Sequence, residues 1–346
     1  MAIGSFFNPI LAGGTAVSMN VDFVASTEST ETGATISFTN LSDPTPTFNF
    51  WDFGDGSFST ASNPDKVYLT DGTFSVTLNA CDSISGGIET KTDYISISLD
   101  LDAADYISRV ETADTQALEL DVKLAINSLV VELKDENIWN SITQLVLLSG
   151  PRTLNGALVP LKGATPSNPS SVFVSGDYNR KTGLKGNRSD KWLNTNVVNN
   201  SLPDNSHASV FISQSESFNG QVALGSGDFT TNEKIITIGQ DSTQGFHRFR
   251  SSNVFTTSGQ PSNFCGFSRT GNTVNIRINN SSSSVSNTVG TVDITTNVLV
   301  FARGTESSPS SFSGARLKHW SLGNDLDLSK LQTVLDNYYS TIDAVI

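Results

Sequence analysis

Between residues 34 and 99 the chain alternates apolar and polar residues four times over, as ATISFT (34–39), TFNFW (47–51), TFSVTLNA (73–80) and DYISISL (93–99). A period of two sends successive side chains to opposite faces of a strand, and clusters of Gly, Pro, Asp and Asn separate the runs. This is the pattern of an antiparallel sandwich with one wet face on each sheet, and roughly 80 residues suffice for an immunoglobulin-like domain. The first domain is therefore expected over residues 21–99. After it the period changes. Val122, Ile126, Leu129, Val130 and Leu133 lie on one helical stripe, which predicts one or two helices over 100–143, a connector that packs on a neighbour and belongs to the second domain. From Gln144 short strand candidates return (QLVLLS, SVFVS, ASVFIS, KIITIG, TVNIRI, TVDITT, NVLVFARG). Their turn-rich spacing predicts a larger sandwich of the jelly-roll sort over 144–346. The chain closes in a predicted helix with Asp327 as N-cap and Leu331, Val334, Leu335, Tyr338, Ile342 and Val345 on its apolar face. The tract NNSSSSVSN (279–287) reads as a loop or a weak edge strand. The fold class expected is mainly β.

Charge is unevenly divided. Of the formal −13, residues 1–143 hold 21 acidic and 5 basic side chains, and the remainder holds 13 and 16. The acidic part repels nucleic acid and anionic membrane. The two parts either attract one another or neighbouring copies, or are simply one acidic and one near-neutral module. Cys81 and Cys265 fall in different predicted domains, so no disulfide is expected and folding in the cytosol suits them. Residues 1–20 are apolar and uncharged, and the first basic side chain is Lys66. A secretory signal with a positive n-region is therefore not expected, nor a membrane span. Such an arm either packs into a partner subunit or is a tail or first strand of the sandwich.

The stretch FNFWDFGDGSFS (48–59) raises the question of a metal or nucleotide site. Asp52-Phe53-Gly54 spells the magnesium-binding triplet of protein kinases, but the chain has no glycine-rich phosphate loop, strand lysine or catalytic Asp-Asn loop. An EF-hand needs a bidentate Glu at its twelfth position, where this chain has Asn63. The backbone reading explains more: Gly54 and Gly56 take positive φ in a tight hairpin, and Asp52 and Asp55 hydrogen-bond its backbone.

With ISFTNLSD before it, FNFWDFGDGSFSTASNPDKVYLTDGTFSVTLNACD resembles the PKD (polycystic kidney disease) domain, through W-D-F-G-D-G, a Pro-x-x-x-Tyr element and Gly-Thr-Phe-x-Val-x-Leu. It departs where the family often has His before the tyrosine, since Val67 precedes Tyr68. The resemblance implies a spacer or interaction module without catalysis. Over residues 103–346, YISRVETADTQALELDVKLAINSLVVELKDENIWNSI, GPRTLNGALVPLKG, SGDYNRKTGLKGN and ARLKHWSLGNDLDLSKLQTVLDNYYSTI resemble segments of bacteriophage structural proteins with a concanavalin A-like, laminin-G-type jelly roll. This implies phage origin rather than a particular activity.

Retaining glucanases on such a fold set two carboxylates about 5 Å apart, but no Glu-x-Asp-x-x-Glu or Glu-x-Asp-x-Glu cluster occurs. Glu216 and Glu233 stand alone, and Asp241 and Asp293 read as turn or strand-end residues. His207, His247 and His319 are read as surface or half-buried structural residues; DNSH (204–207) does not make a triad, and no His-x-x-x-His pair exists for zinc. Two features point to binding. Arg180, Lys181, Lys185, Arg188 and Lys191 form a basic loop that either docks an anionic glycan or an acidic neighbour, or is a solvated surface. Trp192 and Trp320 either stack on sugar rings or belong to the core, the latter being the better reading of Trp320. No metal or cofactor is expected.

The function expected is that of a non-enzymatic virion protein, displayed on the particle as capsid decoration or as a tail or fibre component. It would dock on other virion proteins through its arm or first domain and form homo-oligomers. A receptor-binding lectin for host-surface glycan is the alternative, and a polysaccharide-degrading enzyme ranks below both.

Overall fold

The computed structural model describes residues 18–346 apart from 170–171, 217–218, 229–231 and 260. It contains two compact units, Met1–Asp100 and Leu101–Ile346.

In the first unit, Phe23–Ala25, Thr35–Asn40 and Asp65–Val67 form a three-stranded sheet. A five-stranded sheet runs Ser29–Glu31, Gly86–Ser98, Gly72–Cys81, Phe48–Asp52, Phe58–Ser59. The alternation does the work expected of it: Ile36 and Phe38, Val76 and Leu78, and Ile95 and Ile97 all point into the core. Each such side chain contributes about 1.5–3 kcal/mol on leaving water. Trp51 lies at the centre, edge-on to Phe23 at 5.2 Å, with its indole N–H donating to the Ala61 carbonyl at 2.9 Å. Met19 is buried in the same core, and Asn20 forms a bridge with Asp43. These two residues, which the sequence placed in the arm, therefore belong to the sandwich, because Met19 finds apolar cover there. Residues 1–17 of the expected arm lie outside the described residues.

In the second unit, α1 (Leu101–Asp114) and α2 (Leu120–Asp135) bury one apolar stripe each. All five positions of the predicted stripe of α2 are buried. A short helix, α3 (Leu154–Ala157), follows, and α4 (Leu328–Val345) ends the chain. Asp327 caps α4, accepting from the Ser329 amide and hydroxyl at 2.8 and 2.6 Å. The body is an antiparallel sandwich. One sheet runs Pro160–Lys162, Ile142–Leu147, Arg316–Asn324, Ser206–Gln214, Asn263–Thr270, Thr273–Ile278, Ser281–Ser286. The other runs Leu193–Val198, Asn297–Val300, Gln221–Gly225, Ile236–Gln240, Gln244–Phe249, Phe255–Ser258. Their facing sides share the core of Val210, Ile238, Phe249, Phe267, Val300 and Trp320. The tract read as a loop or weak edge strand is thus an edge strand over Ser281–Ser286.

Two carboxylates tie α1 and α2 to this body. Asp114 is buried and accepts from the Arg152 amide (2.7 Å), the Thr153 amide (2.9 Å) and the Thr153 hydroxyl (2.6 Å). Glu119 holds Arg180 through both its oxygens, at 3.0 and 2.6 Å, and Arg152 at 2.9 Å. The Arg180 bond is the chief reason the Glu119 carboxyl sits down at about 2. Among the described residues no helix is long and apolar enough to cross a membrane.

Candidate functional site

The turn at 52–56 is built from backbone bonds. Trp51 pairs with Ser59 and Asp52 with Phe58 across the hairpin. Asp52 accepts from the Gly54 amide at 2.9 Å, and one oxygen of Asp55 accepts from both the Ser57 amide and hydroxyl. The other oxygen of Asp55 meets the Lys66 ammonium at 2.5 Å. Burial opposes ionisation of Asp55, but Lys66 and Ser57 outweigh it and hold the carboxyl below its ordinary range. Tyr68 donates to the Phe53 carbonyl at 3.0 Å and closes the turn from below. Both glycines have positive φ, +78° at Gly54 and +85° at Gly56, but their surroundings differ. A Cβ at Gly54 would stand 2.4 Å from the Ser75 carbonyl oxygen, while one at Gly56 would meet nothing within 4 Å. Gly54→Ala is therefore expected to cost about 2–4 kcal/mol and Gly56→Ala about 1 kcal/mol. Urea unfolding followed by the fluorescence of the buried Trp51 measures both.

The basic segment is spread over several partners. Tyr178–Asn179 and Gly183–Lys185 form a small hairpin, which spreads the five cations over different partners. Arg180 is clamped by Glu119 and donates to the Gly150 carbonyl at 3.0 Å. Lys185 and Arg188 both reach Glu216, at 3.5 and 3.1 Å, and Lys191 pairs with Asp177. Lys181 stands apart at the hairpin turn, where its amide donates to the Asn179 side chain. Trp192 is buried with Leu299, Ala302 and Phe312, so it offers no open face for a sugar ring. Trp320 is in the core, donating to the Gln144 side chain at 2.8 Å. Of the set Arg180, Lys181, Lys185, Arg188, Lys191 and Trp192, four cations thus pair with carboxylates at Glu119, Glu216 and Asp177, and Trp192 is buried.

The histidines correct the sequence reading in another way, since all three are fully buried rather than at the surface. His207 bonds the Asn324 carbonyl (2.6 Å) and the Ser321 hydroxyl (2.7 Å). His319 bonds the Tyr339 and Ser209 hydroxyls at 2.8 and 3.3 Å, and His247 bonds Thr257 at 3.0 Å. Burial pushes their pKa values down to about 4, 3 and 3 respectively. Asp204, of DNSH, turns away to Lys234 and Arg250. Glu216, Asp293 and Asp241 likewise meet Arg188, Lys234 and the Gly220 amide. Among the described residues no three His, Cys, Asp or Glu side chains gather as metal ligands, and Cys81 and Cys265 are free thiols.

One constellation was missed by sequence reasoning. Trp139 follows α2 in a short turn and is half-exposed, whereas Trp51, Trp192 and Trp320 are buried. It borders a cavity of about 390 Å³ with Asp102, Lys134, Asn137 and Asn140. Lys134 pairs with Asp102 at 2.6 Å and sits 5.5 Å from the indole centroid. Lys162 lies 4.6 Å from the same centroid and donates to the Trp139 carbonyl at 2.6 Å. Burial, together with the charge of Lys134, lowers the Lys162 pKa against the pull of Asp102. Lys134 and Asp102 line the cavity as an ion pair, beside the Asn137 and Asn140 amides, which are suited to hydroxyl groups. The sequence signal was NIWN at 137–140, a polar-flanked tryptophan directly after an amphipathic helix.

Residues 19–97 fit the family model of the PKD domain. The first unit is accordingly an immunoglobulin-like PKD domain. No curated protein matches the chain. Similar solved structures include the PKD1 domain of Vibrio anguillarum Epp, at 23% identity over 24% of this chain and 100% of that one, with a TM-score of 0.21. The PKD1 domain from the Vibrio cholerae metalloprotease PrtV shares 26% identity over 23% of this chain and 99% of that one (TM-score 0.20). Domain 4 of AbnA, a GH43 extracellular arabinanase from Geobacillus stearothermophilus, in complex with arabinotriose, shares 14% identity over 56% and 98% (TM-score 0.36).

Proposed function

We propose that this chain is a non-catalytic bacteriophage virion protein, displayed on the particle surface for docking and adhesion. The observation that carries the reading is the bonding of the PKD turn. Asp52 and Asp55, the carboxylates of the most specific motif in the chain, are occupied by the Gly54 and Ser57 backbone and by Lys66. That motif builds a rigid module rather than a reactive one. The resemblance of residues 103–346 to phage structural segments supports the particle as its location. Other virion proteins would be the partners of the PKD domain and of residues 1–17. Mass spectrometry of purified particles tests the reading: stoichiometric recovery of the chain supports it, and absence from the particle removes it.

A second reading, adhesion to glycan, is favoured by the Trp139 cavity. The Trp139 ring gives the apolar face of a sugar a partner, and the Asn137 and Asn140 amides suit its hydroxyls. On this reading a glycan array probed with the full chain shows bound glycans. Trp139→Ala weakens them about tenfold or more, in line with about 1–2 kcal/mol for an aromatic contact. An array with no signal for the native chain disposes of this reading and leaves the first one standing.

A further inference from the structure

The strand Ser281–Ser286 ends its sheet, and it lacks the devices that usually blunt an edge. It is six residues long, carries no charge and no proline, and pairs with Thr273–Ile278 without a register shift. The other edges of the sandwich differ. Pro160–Lys162 is three residues long, with a proline, a lysine and a register shift; Leu193–Val198 has a register shift; Phe255–Ser258 is only four residues long. Five of the six residues of the serine strand are exposed, and Val285 alone leans on the core. Among the described residues no strand or bridge lies on its outer side.

Its register fixes which groups face out. Ile278 and Ser281 close a two-residue turn at Asn279-Asn280, so they form a hydrogen-bonded pair, and pairing then alternates along the ladder. The backbone N–H and C=O groups of Ser282, Ser284 and Ser286 therefore point away from the sheet. An antiparallel copy of the same strand, related by a two-fold axis at Ser284, sets Ser282 opposite Ser286 of the second copy and Ser284 opposite itself. That arrangement forms about six backbone hydrogen bonds. We propose that Ser281–Ser286 is a self-pairing edge that joins two copies of this chain into one continuous sheet. The choice of a second copy rests on charge and symmetry. The chain carries a net −13, so two copies meet most easily along a strand that has no carboxylate and whose nearest charge is the Arg277 guanidinium, 2.9 Å from the Ser282 hydroxyl; a run of nearly identical serines is also compatible with its own reversed copy.

Sedimentation of the full chain tests this, independently of where the protein resides. The native chain is expected to sediment at twice the chain mass. Ser284→Pro removes an N–H that points outward and leaves the bonds to Thr273–Ile278 in place. It is expected to raise the dissociation constant at least about a hundredfold, with a melting temperature unchanged at concentrations where both chains are monomeric. Ser282→Glu with Ser286→Glu sets like charges opposite each other and gives a monomer. Ser282→Glu with Ser286→Lys sets opposite charges across the same axis and restores the dimer. A native chain that is monomeric at about 100 µM overturns the proposal. So does a dimer unaffected by both Ser284→Pro and the double glutamate.

Discussion

Acidification from pH 7 to about 4.5 is expected to unfold the second unit while the PKD unit stays folded. All three histidines lie in the second unit, buried and neutral, with native pKa values of about 4, 3 and 3. In the unfolded chain each has the ordinary value near 6.5. Because the native pKa values are depressed, the unfolded state binds more protons throughout the interval between them. Stability is therefore full above about pH 6.5 and falls as pH drops toward 4. The slope is about 1.4 kcal/mol per pH unit for each histidine, so the three together remove about 8 kcal/mol by pH 4.5. That is comparable with the whole stability of an ordinary domain. The PKD unit has no histidine, and its salt-bridged Asp22 and Asp55, with lowered pKa values, lose their contribution only below the ordinary carboxylate range. Two separated transitions in an acid titration, followed by far-ultraviolet circular dichroism and tryptophan fluorescence, are the expected record. His247→Leu, beside Phe255 and Phe267, should remove about a third of the slope. A flat response between pH 6.5 and 4.5 would show that the buried rings do not govern the acid limit.

Asp114→Ala is the substitution expected to destabilise the second unit most. It removes one acceptor from three donors at once, the Arg152 amide and the Thr153 amide and hydroxyl. Leaving several part-buried donors unpaired costs about 3–5 kcal/mol. Asp114→Asn retains one acceptor oxygen and should cost about half as much. Gly156→Ala approaches the same clasp from the other side, since its Cβ would stand 2.2 Å from an Asp114 oxygen. Urea midpoints of the three variants are expected in that light: Asp114→Ala well below native and Asp114→Asn between them. An Asp114→Ala midpoint within about 0.5 kcal/mol of native would mean that water replaces the carboxylate without loss.

The parts legible in the sequence were those written in local periodicity. Alternation gave away the PKD strands, the 3.6-residue stripe gave away α2, and Asp327 announced α4, because each depends on residues a few positions apart. The hairpin at 52–56 was legible for the same reason. What escaped was pairing across long separations. Arg180 meets Glu119 and Lys185 meets Glu216, so a run of cations that reads as a site is neutralised by carboxylates that no local pattern reveals. Burial of the histidines escaped too, since each sits in a strand whose neighbours are partly polar. Trp139 was overlooked because its companions Asp102 and Lys162 come from α1 and from the strand Pro160–Lys162, elements that only tertiary packing brings beside it.

Phage particles purified from a culture that makes the chain provide the most direct test of the proposed virion role. Electron microscopy of such particles, labelled with antibody against the second unit, is expected to show the protein in regular, repeated copies on the outer surface. Particles that lack the label while the chain accumulates free in the host would contradict the account.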